Sequence, residues 1–306
     1  MRKILTTAVI AAGLLPALVF GAAVPGAFVD IGIAKASSYG GAYVSIADDA
    51  ASVFYNPAGI TTSEYKDVTF MYAKQKNLVP YNYFAFIWPI NKLRGAGFGV
   101  LMSGDSVLFE QTYIFSYSEN LDWMLFNFTD GLYAGVNMKI HAASFGNNDE
   151  DPDPLKVRGS AWGFGMDFSL LWRFTRDVQG GFMIRDAFSS VVWDADTSPE
   201  TGVESVPLTT SMGLRYKLKD FMASFQIDDL DKLRVGAEFT FFTYIDLRFG
   251  FTMELDYESY KEYMLGLGIG RFEFGAKREF SMNIDTAYVF ERFDNTLKIQ
   301  TSFKFR

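Results

Sequence analysis

Apolar and polar side chains alternate along most of this chain from residue 68 onward. Between residues 132 and 142, for example, apolar or small residues are interleaved with Tyr133, Gly135, Asn137, Lys139 and His141. The same period of two recurs over residues 245–255, 282–291 and 297–306. Because successive side chains of a strand point to opposite faces, this period predicts strands with one apolar face.

About fourteen segments of this kind can be counted, each near the ~9–11 residues that a tilted strand needs to cross a bilayer. An even number of strands is what a closed single-chain bacterial barrel requires. The sequence therefore predicts an all-β fold, a closed antiparallel transmembrane β-barrel. Its strands are expected at 68–76, 80–90, 95–104, 108–118, 131–145, 158–173, 178–189, 207–218, 221–229, 232–241, 244–255, 263–271, 280–291 and 295–305.

The predicted connections differ in length between the two ends of this barrel. With the N-terminus on the periplasmic side, the external loops include residues 146–157 and 190–206. The inner turns include the shorter segments 91–94, 174–177, 219–220 and 242–244. Long external loops and short periplasmic turns are typical of outer-membrane barrels. Two inner connections, 119–130 and 272–279, are longer than this rule predicts.

The first 23 residues have the organisation of a secretory signal peptide. Arg2 and Lys3 precede an apolar segment over residues 4–20, which the small residues Gly21, Ala22 and Ala23 follow. Cleavage is expected after Ala23. The sequence therefore predicts an exported protein, and together with the strand pattern it predicts a location in the outer membrane.

Composition explains why strands, and not helices, would cross the membrane. Aromatic residues make up 17% of the chain although the mean hydropathy is only +0.06. After the signal, no run of about 18 apolar residues could form a spanning helix.

The formal charge of -8 becomes -10 without the two basic residues of the signal, which disfavours nucleic acid as a partner. The absence of cysteine excludes disulfides and thiol catalysis.

One stretch near the start, residues 34–60, differs from everything that follows. Gly40-Gly41 predicts a turn, and Ser45 followed by Asp48 has the spacing of a helix N-cap with an acid in the first turn. A short helix is expected to follow and to end at Asn56, because the residue before a proline is disfavoured in the α region.

The residues of this stretch, G-G-A-Y-x-x-x-A-D-D-A-x-x-x-x-x-N-P-A-G-I, resemble the N-terminal signature of the FadL and PorV group of outer-membrane barrels. The resemblance implies a small helical hatch inside a fourteen-stranded barrel. It divides the chain into a signal peptide (1–23), a hatch (24–66) and a barrel (67–306). The residues expected to form the hatch and its substrate gate are Gly40, Gly41, Asp48, Asp49, Asn56, Pro57 and Ala58.

Two functions follow from this resemblance. Similarity to FadL implies passive, hatch-gated uptake of hydrophobic small molecules, such as long-chain fatty acids or aromatic compounds, with release sideways through the wall into the lipid. Similarity to PorV implies a shuttle that receives secreted protein cargo. An aromatic cavity reaching the hatch would favour uptake, whereas an apolar patch on the external loops would favour a protein partner. A barrel enzyme is a third, weaker alternative.

Candidate catalytic and metal-binding residues are few. His141 is the single histidine, and nearby Ser144 should face the other side of its strand. The acidic segment 147–154 could bind calcium, but its prolines suit a solvated loop better. We therefore predict no enzymatic activity, no catalytic residue, no cofactor and no metal site. Glycines in the strands could admit a plug or permit curvature; they are Gly163, Gly165, Gly266, Gly268 and Gly270.

The last predicted strand carries Phe303 and Phe305 close to the end of the chain. A terminal aromatic residue on the last strand resembles the signal that the barrel-assembly machinery recognises in outer-membrane proteins. The match is imperfect because Arg306 follows Phe305.

Overall fold

The computed structural model describes residues 28–122, 131–146, 157–196, 202–255, 260–274 and 280–305. The segment that precedes the first strand contains three short helices. These are α1 (Ala34–Ser37), α2 (Ser52–Tyr55) and a 3-10 helix, η1 (Pro57–Thr62). No helix among these residues is long and apolar enough to cross a membrane.

Fifteen strands account for most of the remaining described chain. They are β1 (Lys66–Gln75), β2 (Val79–Pro89), β3 (Arg94–Gly104), β4 (Leu108–Asn120), β5 (Gly131–Phe145), β6 (Gly159–Arg173), β7 (Val178–Ala195), β8 (Gly202–Glu204), β9 (Thr209–Leu218), β10 (Phe221–Asp228), β11 (Lys232–Phe241), β12 (Ile245–Glu254), β13 (Lys261–Phe274), β14 (Phe280–Phe290) and β15 (Thr296–Phe305).

Fourteen of these strands form one closed antiparallel barrel. Each pairs with its neighbours along the chain, β7 pairs directly with β9, and β15 closes the ring on β1. The short strand β8 lies outside the ring, and among the described residues it pairs only with β7. The predicted fold is therefore confirmed. We name the barrel's two ends by their connections: the loop end carries the β5–β6 and β7–β9 connections, and the turn end carries the β9–β10 and β11–β12 turns.

The predicted strand boundaries lie within three residues of the observed ones, except at the end of β7. The prediction ended this strand at Ser189 and assigned 190–206 to a loop, which is wrong. β7 continues to Ala195 because β6 offers it a partner as far as Gly159. Its outer edge pairs there with β8. β7, at 18 residues, is consequently the longest of the described strands.

Side chains on the barrel alternate as the sequence pattern predicts. On β5, Met138 and Ile140 face outward and are exposed, whereas Asn137, Lys139 and His141 face inward and are buried. The outward aromatic side chains also pack against each other from strand to strand. An apolar exterior around a polar interior is the arrangement that a lipid bilayer requires of a barrel.

Candidate functional site: the hatch and its vestibules

The segment from Phe28 to Tyr65 lies inside the barrel, and we call it the hatch. Most of its side chains are buried against the wall strands. Its chain reverses at Gly40-Gly41, where both residues have positive φ angles of 68° and 77°. This left-handed conformation suits glycine, so the predicted glycine turn is present.

The helix predicted after Ser45 is much shorter than expected. Only Ser52–Tyr55 is helical, and the Ser45 hydroxyl has no hydrogen-bond partner among the described residues. The backbone N–H groups of Ala50 and Ala51 donate to the carboxylates of Asp67 and Asp49. These side chains satisfy donors that a longer helix would have used. The predicted end of the helix at Asn56 is correct.

Asn56, Pro57 and Ala58 fix the hatch to the barrel wall. The Asn56 side chain is completely buried; its Nδ2 donates to the carbonyl oxygens of Val44, at 2.7 Å, and Leu170, at 3.0 Å. Its Oδ1 accepts from the Ala58 N–H at 3.1 Å. Pro57 begins η1, where its missing N–H costs no hydrogen bond. This motif therefore joins two hatch segments and β6.

Replacing Asn56 by alanine should loosen the hatch without preventing barrel assembly. The change leaves two buried carbonyls and one N–H with fewer partners, which costs about 1–3 kcal/mol, while the strand ladder keeps all its hydrogen bonds. We expect Asn56→Ala and Pro57→Ala to assemble in the membrane with a hatch that is held less firmly. Heat-modified mobility on gels measures assembly, and Asn91→Ala in an exposed turn is the control. Failure of Asn56→Ala to assemble would contradict this prediction.

Asp48 and Asp49 form an ion-paired cluster with Lys35. The Lys35 Nζ lies 3.1 Å from Asp48 and 2.7 Å from Asp49. Burial alone would lower the pKa of Lys35, but the two carboxylates raise it above its usual range. Burial raises the pKa of Asp48, but Lys35, together with Lys304, Arg215 and Lys217, outweighs this effect and the net direction is downward. Lys35 and Asp48 are thus held in their charged forms at neutral pH.

Glycines of the wall strands let the hatch pack closely against the barrel, and we call these positions glycine seats. A Cβ at Gly250 would lie 2.1 Å from the Gly40 N, and one at Gly135 would lie 2.2 Å from the Ala58 N. Larger side chains would collide with the hatch backbone at these positions. The glycines at which a Cβ would meet backbone or side-chain atoms of the hatch are Gly95, Gly97, Gly99, Gly135, Gly181, Gly213, Gly236, Gly250 and Gly266. The hatch therefore contacts most of the circumference of the wall.

Two cavities lie on opposite sides of the hatch. The loop-end vestibule has a volume of about 510 Å³, and Ser37, Gly40 and Gly41 form part of its floor. Its wall residues are Gln75, Arg185, Thr209, Ser211, Gln226, Asp228, Asp229, Asp231, Lys232, Arg234, Glu254, Glu262, Met264, Val289, Glu291, Thr296 and Lys298. The lining is mainly polar and charged, so the expected aromatic-lined cavity is not this one.

The turn-end vestibule has a volume of about 580 Å³, and Lys35, Tyr39, Asp48 and Asp49 face it from the hatch. Its wall includes Lys217, Glu238, Asp246, Arg248, Arg271, Glu273, Ser281, Asn283, Asp285, Ser302 and Lys304. The predicted gate residues are thus divided among three places. Gly40-Gly41 face one vestibule, Asp48-Asp49 face the other, and the Asn56–Ala58 motif lines neither.

Arg248 is the centre of a buried charge cluster beside the hatch. Its guanidinium contacts Glu238 at 2.7 Å, Asp285 at 2.6 Å and Asp246 at 3.1 Å, and only 2% of its side chain is exposed. The Tyr39 hydroxyl donates to the same Glu238 carboxylate. The cluster joins three wall strands to the hatch next to the glycine turn.

An aromatic cluster lies at the start of the hatch. The Phe28 ring centroid is 4.7 Å from that of His141 and 6.2 Å from that of Trp193. The ring occupies a pocket, which we call the Phe28 pocket, formed by Ala143, Ala161, Val191 and Val206 together with these two aromatic residues. Phe28 itself has a φ of 56°, which is unfavourable for a non-glycine residue. Neither His141 Nε2 nor Trp193 Nε1 has a hydrogen-bond partner among the described residues.

The other residues that the sequence singled out lie on the barrel wall or outside the described residues. His141 and Ser144 lie on opposite faces of β5, as predicted, so the two side chains cannot act together. The acidic segment 147–154 falls outside the described residues. Of the five strand glycines, Gly266 seats the hatch, and the other four lie against wall residues. Phe303 is on the outer face of β15, and Phe305 packs near Phe280.

The contacts that join the hatch to the wall through Tyr39, Arg234 and Arg248 could not be predicted from the sequence. Period two places both arginines on inward faces, but it does not show which part of the hatch each one meets. The hairpin of β11 and β12 could have revealed one pair, because its three-residue turn sets Glu238 opposite Arg248. The contact of Glu238 with Tyr39 spans 199 residues of sequence, and no local pattern indicates it.

No family model and no curated protein matches this chain. Among solved structures, it is similar to the CymD monoaromatic hydrocarbon channel, with 12% identity, a TM-score of 0.60 and coverage of 90% of this chain and 97% of that one. A Pseudomonas aeruginosa FadL homologue matches with 12% identity and a TM-score of 0.58, covering 90% and 98%. The Pseudomonas putida toluene transporter TodX matches with 9% identity and a TM-score of 0.53, covering 83% and 93%. At these identities the comparisons establish that the chain has the barrel fold of FadL-like transporters.

Proposed function

We propose that this protein is an outer-membrane channel for small hydrophobic molecules, with the hatch as the barrier in its lumen. The observation that carries the proposal is the hatch-filled fourteen-strand barrel, which matches hydrocarbon channels over most of their length. The predicted signal peptide and the apolar exterior are in keeping with this location. A barrel of this size with a seated hatch suits a gated route better than an open pore.

The Phe28 pocket is the proposed binding site for the hydrophobic molecule. The vestibules are too charged to offer an apolar solute much gain over water, whereas the pocket offers ring faces and aliphatic contacts. The pocket also reaches the hatch, as an aromatic cavity that serves uptake should. In this proposal the Phe28 ring occupies the place of an aromatic ligand and must leave before the ligand binds.

Removing the Phe28 ring should strengthen the binding of toluene. An emptied apolar cavity of this kind binds a benzene-sized molecule, and the ligand no longer displaces a side chain whose burial is worth about 1.5–3 kcal/mol. We expect roughly tenfold or larger tightening in Phe28→Ala. Calorimetry on the detergent-solubilised barrel measures the affinity. Phe28→Leu, which keeps the pocket filled, should bind like the unmodified protein, and equal affinities for all three proteins would contradict the assignment of the pocket.

Uptake by liposomes tests the proposed function itself. Purified protein would be inserted into liposomes and supplied with radiolabelled toluene or a long-chain fatty acid, with protein-free liposomes and Asn56→Ala for comparison. Saturable uptake that changes in Asn56→Ala supports a hatch-gated channel. If a correctly folded barrel transports neither compound, the proposal is wrong. Crosslinking of the loop end to exported proteins would then test the role as a secretion shuttle.

A further inference from the structure

The two vestibules lie on either side of the glycine turn of the hatch. Tyr39 faces the turn-end vestibule, while the next two residues, Gly40 and Gly41, face the loop-end vestibule. Consecutive residues of one chain segment thus face opposite cavities. Moving this short turn would bring the two cavities together, whereas the rest of the hatch could remain on its glycine seats.

Two wall side chains hold this turn by a single carbonyl group. The Gly40 oxygen accepts from Arg234 Nη1 at 3.0 Å and from Thr252 Oγ1 at 2.8 Å. Arg234 is itself held by Asp228. Both glycines have left-handed φ angles, and glycine can leave that region without a steric penalty from a side chain. From the wall, the turn is therefore held by contacts of β11 and β12, while within the hatch the Gly40 and Gly41 N–H groups donate to the carbonyl oxygens of Ser37 and Ala36.

The charges around the two cavities are suited to cations. Among the described residues, seven carboxylates and four cationic side chains line the loop-end vestibule, and six carboxylates and five cationic side chains line the turn-end vestibule. Excess carboxylates along an aqueous path favour cations over anions. Apolar solutes gain little in such surroundings, so a path through both cavities would serve a second kind of permeant.

We propose that the Gly40-Gly41 turn is a gate, and that its release from Arg234 and Thr252 joins the vestibules into a water-filled path for small cations. This activity is separate from hydrophobic uptake through the Phe28 pocket. It also places the gate for cations at the first glycines of the hatch signature. The Asn56–Ala58 motif then serves as an anchor for the part of the hatch that stays in place.

Conductance in planar bilayers tests this proposal. The doubly substituted protein, Arg234→Met with Thr252→Val, loses both donors to Gly40. Losing a hydrogen bond from a charged donor should raise the open population, and with it the potassium conductance, by about ten- to a hundredfold. Reversal potentials in asymmetric KCl should show a preference for potassium over chloride. Lys232→Met is the matched control, because it removes a cation from the same strand and vestibule but leaves Gly40 untouched.

Thiol labelling provides a second test of the gate, which can be used if the double variant does not fold. The chain has no cysteine, so Ser281→Cys places a single thiol in the turn-end vestibule. Adding the mild substitution Thr252→Val should speed its modification by a cationic thiol reagent supplied from the loop end. Folded protein that shows neither faster labelling nor higher conductance than Lys232→Met overturns the gate. Toluene uptake by the same preparations reports separately on the proposed function.

Discussion

Deleting residues 297–306 is expected to abolish assembly of this protein in a membrane. The deletion removes β15 except its first residue, and β15 hydrogen-bonds to β14 on one side and to β1 on the other. Without it the barrel cannot close, and two strand edges would expose unpaired backbone groups to lipid, each at a cost of several kcal/mol.

The same deletion also detaches the hatch from the wall. The Lys298 ammonium donates to the carbonyl oxygens of Ile31 and Gly32 and to the Ser37 hydroxyl. Gln300 accepts from the backbone N–H of Lys35 at 2.9 Å. These contacts bring the last strand and the first hatch helix together. Closure of the barrel and seating of the hatch consequently depend on one strand.

Membrane fractionation and heat-modified gel mobility would measure the loss of assembly. Phe303→Ala with Phe305→Ala in the full-length chain is the informative control, because it removes the predicted aromatic signal but keeps the strand. Assembly of this control alongside failure of the truncation would show that the strand itself is essential. Heat-modifiable truncated protein in the membrane fraction would show that the chain closes in some other way.

The barrel could be predicted almost completely from the sequence, because its main requirement is local. Each strand must present one apolar face to lipid, and this period is visible in a few residues such as Met138 and Ile140. Strand length follows from bilayer thickness. The extension of β7 to Ala195 was missed because it depends on a partner in β6, whose own length a single segment does not indicate.

The hatch was predictable as a unit but not in its conformation. Its glycine turn and its end at Asn56 follow from backbone preferences. The helix predicted from Ser45 begins only at Ser52, because Asp67, from the first wall strand, accepts a hydrogen bond from the backbone N–H of Ala50. Such contacts join distant parts of the chain. The glycine seats are equally hidden, since Gly135 and Gly250 look like ordinary strand glycines until the hatch is present.

Buried charges explain how a polar lumen can still hold the hatch firmly. The wall supplies Lys298 and Arg234 to hatch carbonyls, and Glu238 to the Tyr39 hydroxyl. Each of these contacts satisfies a buried polar group, which is costly to leave unpaired. A hatch held by many such bonds can release one turn while the others remain. The proposed gate requires this combination of one turn that moves and a hatch that otherwise stays in place.

Replacing Arg248 by methionine is expected to be the most destabilising single substitution in the lumen. Methionine keeps much of the side-chain volume, but the carboxylates of Glu238, Asp285 and Asp246 would lose the cation that they share. Breaking a buried ion pair by removing one partner typically costs about 3–5 kcal/mol. We expect a loss of this size in the free energy of unfolding, measured by urea titration of the barrel in detergent micelles.

Arg271→Met provides the matched control for this prediction. Arg271 contacts the same Asp246 carboxylate at 3.2 Å, but its side chain is 44% exposed. Exposed ion pairs contribute about 0–1 kcal/mol, so the control should unfold close to the unmodified protein. Arg248 Nε also donates directly to the Tyr39 hydroxyl at 3.3 Å, so its loss leaves that hydroxyl with only its bond to Glu238 and should loosen the glycine turn. Equal stabilities for the two variants would mean that water reaches the cluster and screens it, and that Arg248 does not support the hatch.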